Sequence, residues 1–311
     1  SSGMAAISSA ILSCAKAGDH VVMMDSVYGG THHLATEMLG RWGIEHSFAC
    51  TSVQSLQHAI TSRTKALVVE SPTNPLLEVI DIRKVAEVAK AAGITSIIDN
   101  TFASPINQKP ITMGIDIVVH SGTKYLGGHS DLCCGAVLTT KQHADSVRAI
   151  AKNLGGSLNA LDCYLLERSL KTLALRVQRH NENALRIAEF LIEQEVILRV
   201  NYPGLPGFEG AEIARRQMSG FGGMMSFELI EKTSPDRFLS SLRLIHPAVS
   251  LGGVETLITV PAETSHAKMS AEARNRLGIT NRLLRLSVGI ENAEDLMGDL
   301  KQALDASTNG P

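Results

Sequence analysis

The chain has 311 residues, 44% of them hydrophobic and 19% charged, with a formal net charge of −2. That length and composition fit a globular protein with one large domain and a smaller one. Balanced charge gives no electrostatic case for nucleic acid or an anionic membrane, 4% aromatic content offers no stacking platform for single strands, and no run approaches the ~20 apolar residues of a membrane helix.

The chain opens on Ser1-Ser2-Gly3-Met4 with no start methionine and no leading strand, so a preceding portion is expected. Met4–Ala17 has helical apolar spacing and stops at Gly18-Asp19. An apolar strand at His20–Met24 is followed by a predicted helix over Thr31–Gly40. Glu45–Ala49 reads as a strand, Val53–Ala59 as a helix and Ala66–Glu70 as a buried strand halted by Ser71-Pro72-Thr73-Asn74-Pro75. Ile82–Ala92 is a helix ending at Gly93, and Ile94–Ile98 a strand ending on Asp99. Ile115–Val119 and Gly135–Thr139 are further strands. Short β-branched runs alternating with amphipathic helices predict an α/β protein with a largely parallel sheet covered on both faces.

Residues 158–195 read as almost continuously helical and lead into a second unit. There Val196–Val200, Gly223–Leu229 and Leu283–Val288 are strands, and Ser234–Leu244 and Ala293–Ala306 are helices. The alternation is sparser, which suggests a small α+β domain. The expected division is 1–170 and 171–311. Five cysteines show neither metal spacing nor the even count of a disulfide framework, which points to the cytosol. Cys133 and Cys134 are expected to be packed thiols inside a strand.

Lys124 carries the argument for chemistry. A lysine just past a buried strand, in Ser121-Gly122-Thr123-Lys124, must desolvate its ammonium, which lowers its pKa and makes it a usable amine nucleophile. Asp99 ends a neighbouring strand. A lysine for a Schiff base and a carboxylate for a pyridine nitrogen are what pyridoxal phosphate requires. Gly3 and Met4 open a helix whose free N–H groups could hold a phosphate, with Ser121 and Thr123 as further donors. Tyr28, beside Gly29-Gly30, could stack on a flat heteroaromatic ring or act as an acid or base. Asn74, between two prolines, has a pre-set amide that could bond a phenolic oxygen, as of a cofactor, or a substrate carboxylate. Arg285, alternating with apolar Leu284 and Leu286, calls for a carboxylate partner, and Ser250-Leu251-Gly252-Gly253 could approach the same carboxylate.

With those pieces placed, the chain resembles the cysteine and methionine metabolism family of pyridoxal-phosphate enzymes, which includes cystathionine γ-lyase, methionine γ-lyase and cystathionine γ-synthase. The motifs are Ser2-Gly3-Met4, Tyr28 to Thr31, Ser71 to Pro75, Asp99 to Phe102, Ser121 to Leu126 with Gly128-His129, Ser250 to Gly253 and Arg285 to Gly289. The resemblance implies the aspartate-aminotransferase-like transferase fold type I, a tetramer of tight dimers and a small amino-acid substrate. It implies Lys124 as the Schiff-base lysine and the base at the α-carbon, Asp99 as the pyridinium partner and Tyr28 as the stacking ring and proton donor to the leaving sulfur. Gly3, Met4, Ser121 and Thr123 would hold the phosphate, and Arg285, Asn74 and Ser250 the substrate carboxylate. It also implies an N-terminal arm reaching a neighbouring subunit, which precedes residue 1 in relatives. The expected reaction is γ-elimination on cystathionine or methionine. γ-Replacement on an activated homoserine is the alternative, and a non-catalytic descendant the remote one. Two markers disagree: Gly30 resembles the cystathionine enzymes, whereas Val249, where these often carry glutamate, resembles methionine γ-lyases. His129 is expected to cap the loop after Lys124.

Overall fold

A computed structural model describes residues 1–267 and 269–308. The first helix, α1 (Gly3–Cys14), begins where Ser2 accepts the Ala5 N–H on its hydroxyl. β1 (His20–Met24), α2 (Gly29–His33), β2 (Glu45–Ala49), α3 (Val53–His58) and β3 (Thr64–Glu70) follow. Asp81 caps α4 (Ile82–Ala92), which buries Ile82, Val85, Ala86 and Ala89 on one face and ends at Gly93, whose φ of 65° suits the left-handed cap. Then come β4 (Thr95–Asp99), α5 (Ser104–Asn107), β5 (Ile117–Ser121), β6 (Gly135–Thr139), α6 (Lys141–Asn153), α7 (Ala160–Leu170) and α8 (Leu173–Ile192). The remaining elements are β7 (Ile197–Asn201), α9 (Ala211–Gln217), β8 (Met224–Leu229), α10 (Pro235–Ser241), β9 (His246–Pro247), β10 (Leu257–Thr259), α11 (Ala271–Arg276), β11 (Leu283–Ser287) and α12 (Ala293–Thr308).

Among the described residues, β2-β1-β3-β4-β5-β6 form one sheet, parallel except where β6 runs against β5. Alternate residues serve opposite layers: Val21 and Met23 pack with α1, while Val22 and Met24 pack with α3 and α4. Burial on both faces explains why these strands read as unbroken apolar runs. The carboxyl ends of β3, β4 and β5 carry Glu70, Asp99 and Ser121, the edge where open α/β sheets bind ligands.

The second sheet, β7-β8-β11-β10-β9, is antiparallel except for the β9–β10 pair. Leu284 and Leu286 of β11 join a core with Ile187 and Leu191 of α8 and Leu296 and Leu300 of α12. Side-chain alternation turns Arg285 to the other face.

Four sequence expectations need correcting. Thr31–Gly40 is not one regular helix: α2 passes into a wider turn over Leu34–Leu39 and a tight one over Gly40–Trp42. The wide turn brings Leu34 and Leu39, five residues apart, into the same core. Residues 158–195 are two helices, parted at Lys171-Thr172, where buried Arg176 donates to the Ser169 carbonyl and the Thr172 hydroxyl. Cys133 and Cys134 precede β6 rather than lying in it. Cys134 is fully buried, but Cys133 is exposed.

Candidate active site

Lys124 sits in a turn just beyond β5, its N–H bonded to the Ser121 carbonyl and its own carbonyl to the Gly128 N–H. His129 closes this loop through Nδ1 and the Gly127 carbonyl at 2.8 Å. The Lys124 Nζ donates to the Ser250 hydroxyl at 2.9 Å. Burial, and then the Arg285 guanidinium, hold the Lys124 amine below the ordinary lysine range.

Asp99 is anchored by Thr101, whose N–H (3.0 Å) and hydroxyl (2.5 Å) both donate to Oδ1. Among the described residues no donor is bonded to Oδ2, which leaves it for a ligand. Burial raises the Asp99 carboxyl, and Thr101 opposes that shift. The Thr101 hydroxyl also accepts the Ser121 N–H at 2.8 Å, tying the acid to the strand that leads into Lys124.

At the start of α1, Ser2 takes the Ala5 and Ala6 N–H groups, and among the described residues those of Gly3 and Met4 have no acceptor. A Cβ on Gly3 would come within 2.7 Å of the Ser121 Cβ, so only glycine lets the helix start approach the end of β5. Thr123 is turned differently from the expectation, because its hydroxyl faces the Cys134 carbonyl at 3.3 Å. The Tyr28 side chain is 45% exposed and lies by Met4: a Cβ on Gly30 would meet its Cε1 at 2.5 Å and the Met4 sulfur at 2.8 Å. Gly30 therefore has a packing reason as well as being a family marker.

Arg285 donates from Nη1 to Asn74 Oδ1 at 3.0 Å and from Nη2 to the Ser250 carbonyl at 3.3 Å. Its Nε is buried without a partner, and burial pushes the guanidinium down to about 10. A carboxylate would satisfy that donor and restore charge balance. Ser250 has a φ of 97°, a conformation that costs a side-chain-bearing residue about 1–3 kcal/mol. Ser250→Gly should therefore raise the urea midpoint while lowering turnover through loss of the Lys124 contact. A lower midpoint would show that the loop is unstrained.

The expected residues thus form one connected cluster, with only the Thr123 hydroxyl engaged elsewhere. Two more belong to it and were not anticipated. Thr101 is one. Glu70, buried at the end of β3 beside Asp99, is the other, and its carboxyl accepts the Tyr28 N–H at 2.7 Å. An acid closing an apolar strand is the same signal that singled out Asp99. The Gly3 and Met4 amides and the Ser121 hydroxyl, unpartnered among the described residues, suit a phosphate, Asp99 Oδ2 suits a protonated ring nitrogen, and Lys124 suits an aldehyde. The donor set fits pyridoxal phosphate.

A family model described as Cys/Met metabolism PLP-dependent enzyme matches residues 1–305. The chain belongs to that family. Its cofactor is pyridoxal 5′-phosphate, and it is a carbon–sulfur lyase or synthase of trans-sulfuration. A cystathionine gamma-lyase of Bacillus subtilis (strain 168) is 47% identical over 307 residues, 98% of this chain and 81% of that protein. A cystathionine beta-lyase of Lactococcus lactis subsp. cremoris is 46% identical over the same length, 98% and 80%. The crystal structure of cystathionine gamma-lyase from Lactobacillus plantarum complexed with L-serine superposes with a TM-score of 0.95 at 41% identity, covering 98% of this chain and 81% of that one. The architecture is fold type I of the pyridoxal-phosphate transferases.

Proposed function

We propose that this member of the family performs γ-elimination on a sulfur amino acid, cystathionine or methionine, giving 2-oxobutanoate, ammonia and a thiol. The observation that carries the reading is the Lys124 amine, of lowered basicity, hydrogen-bonded to the same Ser250 whose carbonyl holds Arg285. Base and substrate anchor are thereby set against each other. Pyridoxal phosphate, when bound, supplies an electron sink for negative charge at the substrate carbons. Gly3, Met4 and Ser121 would hold its phosphate, Asp99 its ring nitrogen, Tyr28 its face and Lys124 its aldehyde carbon. Arg285 and the Asn74 amide hydrogens, which have no partner among the described residues, orient the substrate carboxylate. The Lys124 amine would remove the proton at the α-carbon, a second deprotonation at the β-carbon would supply the electron pair that breaks the bond from the γ-carbon to sulfur, and the Tyr28 phenol would give a proton to the departing sulfur. Residues 1–170 would form the cofactor domain and 171–311 the small one.

Val249, 67% exposed next to Ser250, supports a substrate with an apolar γ-substituent. Val249→Glu should raise kcat/KM for cystathionine over methionine about fivefold, the ~1 kcal/mol of an exposed ion pair. Equal ratios in both proteins would remove Val249 from substrate choice. A relative that is a cystathionine beta-lyase favours a second reading, β-elimination of cystathionine to pyruvate. Replacement by a thiol on an activated homoserine is a third. Chromatography of the 2-oxo acid formed without added thiol tests all three: 2-oxobutanoate supports the proposal, pyruvate the second and no product the third.

Leu161 and Tyr164 on α7 and Leu175 on α8 are large apolar side chains left exposed, of the kind subunits cover. That supports a tetramer of tight dimers. Among the described residues no helix is long and apolar enough to cross a membrane, and the free cysteines suit a cytoplasmic setting.

A further inference from the structure

We propose that Glu70 is a positioning residue for this reaction: its carboxyl clamps the backbone of the Tyr28 loop and the Asn74 loop to the end of β3, and so sets the substrate-carboxylate anchor. The role of that anchor rests on the reading above, but the clamp itself does not. Glu70 is 5% exposed and takes the Tyr28 N–H on Oε2 at 2.7 Å. The Asn74 N–H also lies close enough to the carboxyl to favour its ionised form. Asn74 in turn places Oδ1 at 3.0 Å from Arg285 Nη1. One side chain thus joins two loops of the first sheet, and through Asn74 reaches the arginine of the second.

The location argues against a merely tolerated acid. Glu70 stands directly beside Asp99 in the parallel register of β3 and β4, where a second carboxyl is unfavourable. Burial and the Asp99 charge both oppose its ionisation, and the two amides work against them. An apolar residue here would avoid that conflict and would leave the Tyr28 N–H without its acceptor. Asp99 has its own support from Thr101, so Glu70 is not needed to hold it.

The test reads amide exchange in the cofactor-free protein, where no assumption about the reaction enters, and then KM in the holoenzyme. Glu70→Ala should speed exchange of the Tyr28 and Asn74 amides about tenfold or more, with other strand ends unchanged, because Tyr28 loses its acceptor and Asn74 the carboxyl beside it. In the holoenzyme the same variant should raise KM for the amino acid about tenfold with a smaller change in kcat, as a misaligned anchor loosens binding. Glu70→Gln keeps one acceptor oxygen, so it should restore protection at Tyr28, leave Asn74 fast and recover part of the KM. Wild-type exchange at both amides in Glu70→Ala would overturn the proposal, as would exchange that changes while KM does not. If the alanine variant does not fold, Glu70→Gln decides alone: asymmetric exchange supports the clamp, and wild-type protection at both amides overturns it. Failure of the catalytic reading shows separately, in Lys124→Ala.

Discussion

Lys124→Ala is expected to abolish turnover, by about 10⁴-fold or more, and to remove the visible absorbance that the cofactor has when joined to the enzyme's amine. The variant should fold. Lys124 gives up one hydrogen bond to Ser250, and its ammonium was held below its usual pKa by burial, so little stability is lost with it. Two independent signals are read, a rate and a spectrum. A yellow, active Lys124→Ala protein would reject both the covalent and the basic role of this amine.

Asp99→Asn is expected to lower kcat roughly 10²- to 10⁴-fold, matching the ~3–5 kcal/mol lost when one member of a buried charge pair is removed. Asparagine still accepts from Thr101, so the local fold is kept and only the charge opposite a ring nitrogen is lost. The cofactor-free protein offers a second reading with the opposite sign. Burial raises the Asp99 carboxyl above its unfolded value. Its stabilising contribution is therefore complete below the unfolded pKa and is lost as pH climbs through the folded one. Without cofactor, Asp99→Asn should outlast wild type in urea at neutral pH, and that advantage should vanish in acid. A constant difference across pH would show that Asp99 is not perturbed by burial.

Legibility in the sequence followed burial. β3 and β4 are covered on both faces, so their apolar runs announced themselves, and the polar residue closing β4 drew attention to Asp99. Lys124 was conspicuous because a cation beside an apolar strand asks for an explanation. α6 was invisible for the converse reason: Val147 is its one buried residue, so no stripe could be read. β9 and β10, at two and three residues, are too short to carry a period. Glu70 was passed over because the prolines after it drew the reading to Asn74. Thr101 was quoted as part of a motif, yet its bridge from Asp99 to Ser121 depends on two strands meeting. The turn of the Thr123 hydroxyl toward Cys134, and the left-handed backbone of Ser250, are likewise set by partners remote in the chain.

Lys124 and Asp99 hang from the first sheet, whereas Ser250 and Arg285 belong to the second. The reacting amine and the group that grips the substrate are thus separate halves of one tool, aligned only while the two sheets stay docked. Because a shift of about 1 Å can cost ~10²-fold in rate, silent enzymes can arise from changes at the seam that touch no reactive atom. A bound amino acid bridges that seam, and its presence should act as a rivet that slows proteolysis of the connecting segments.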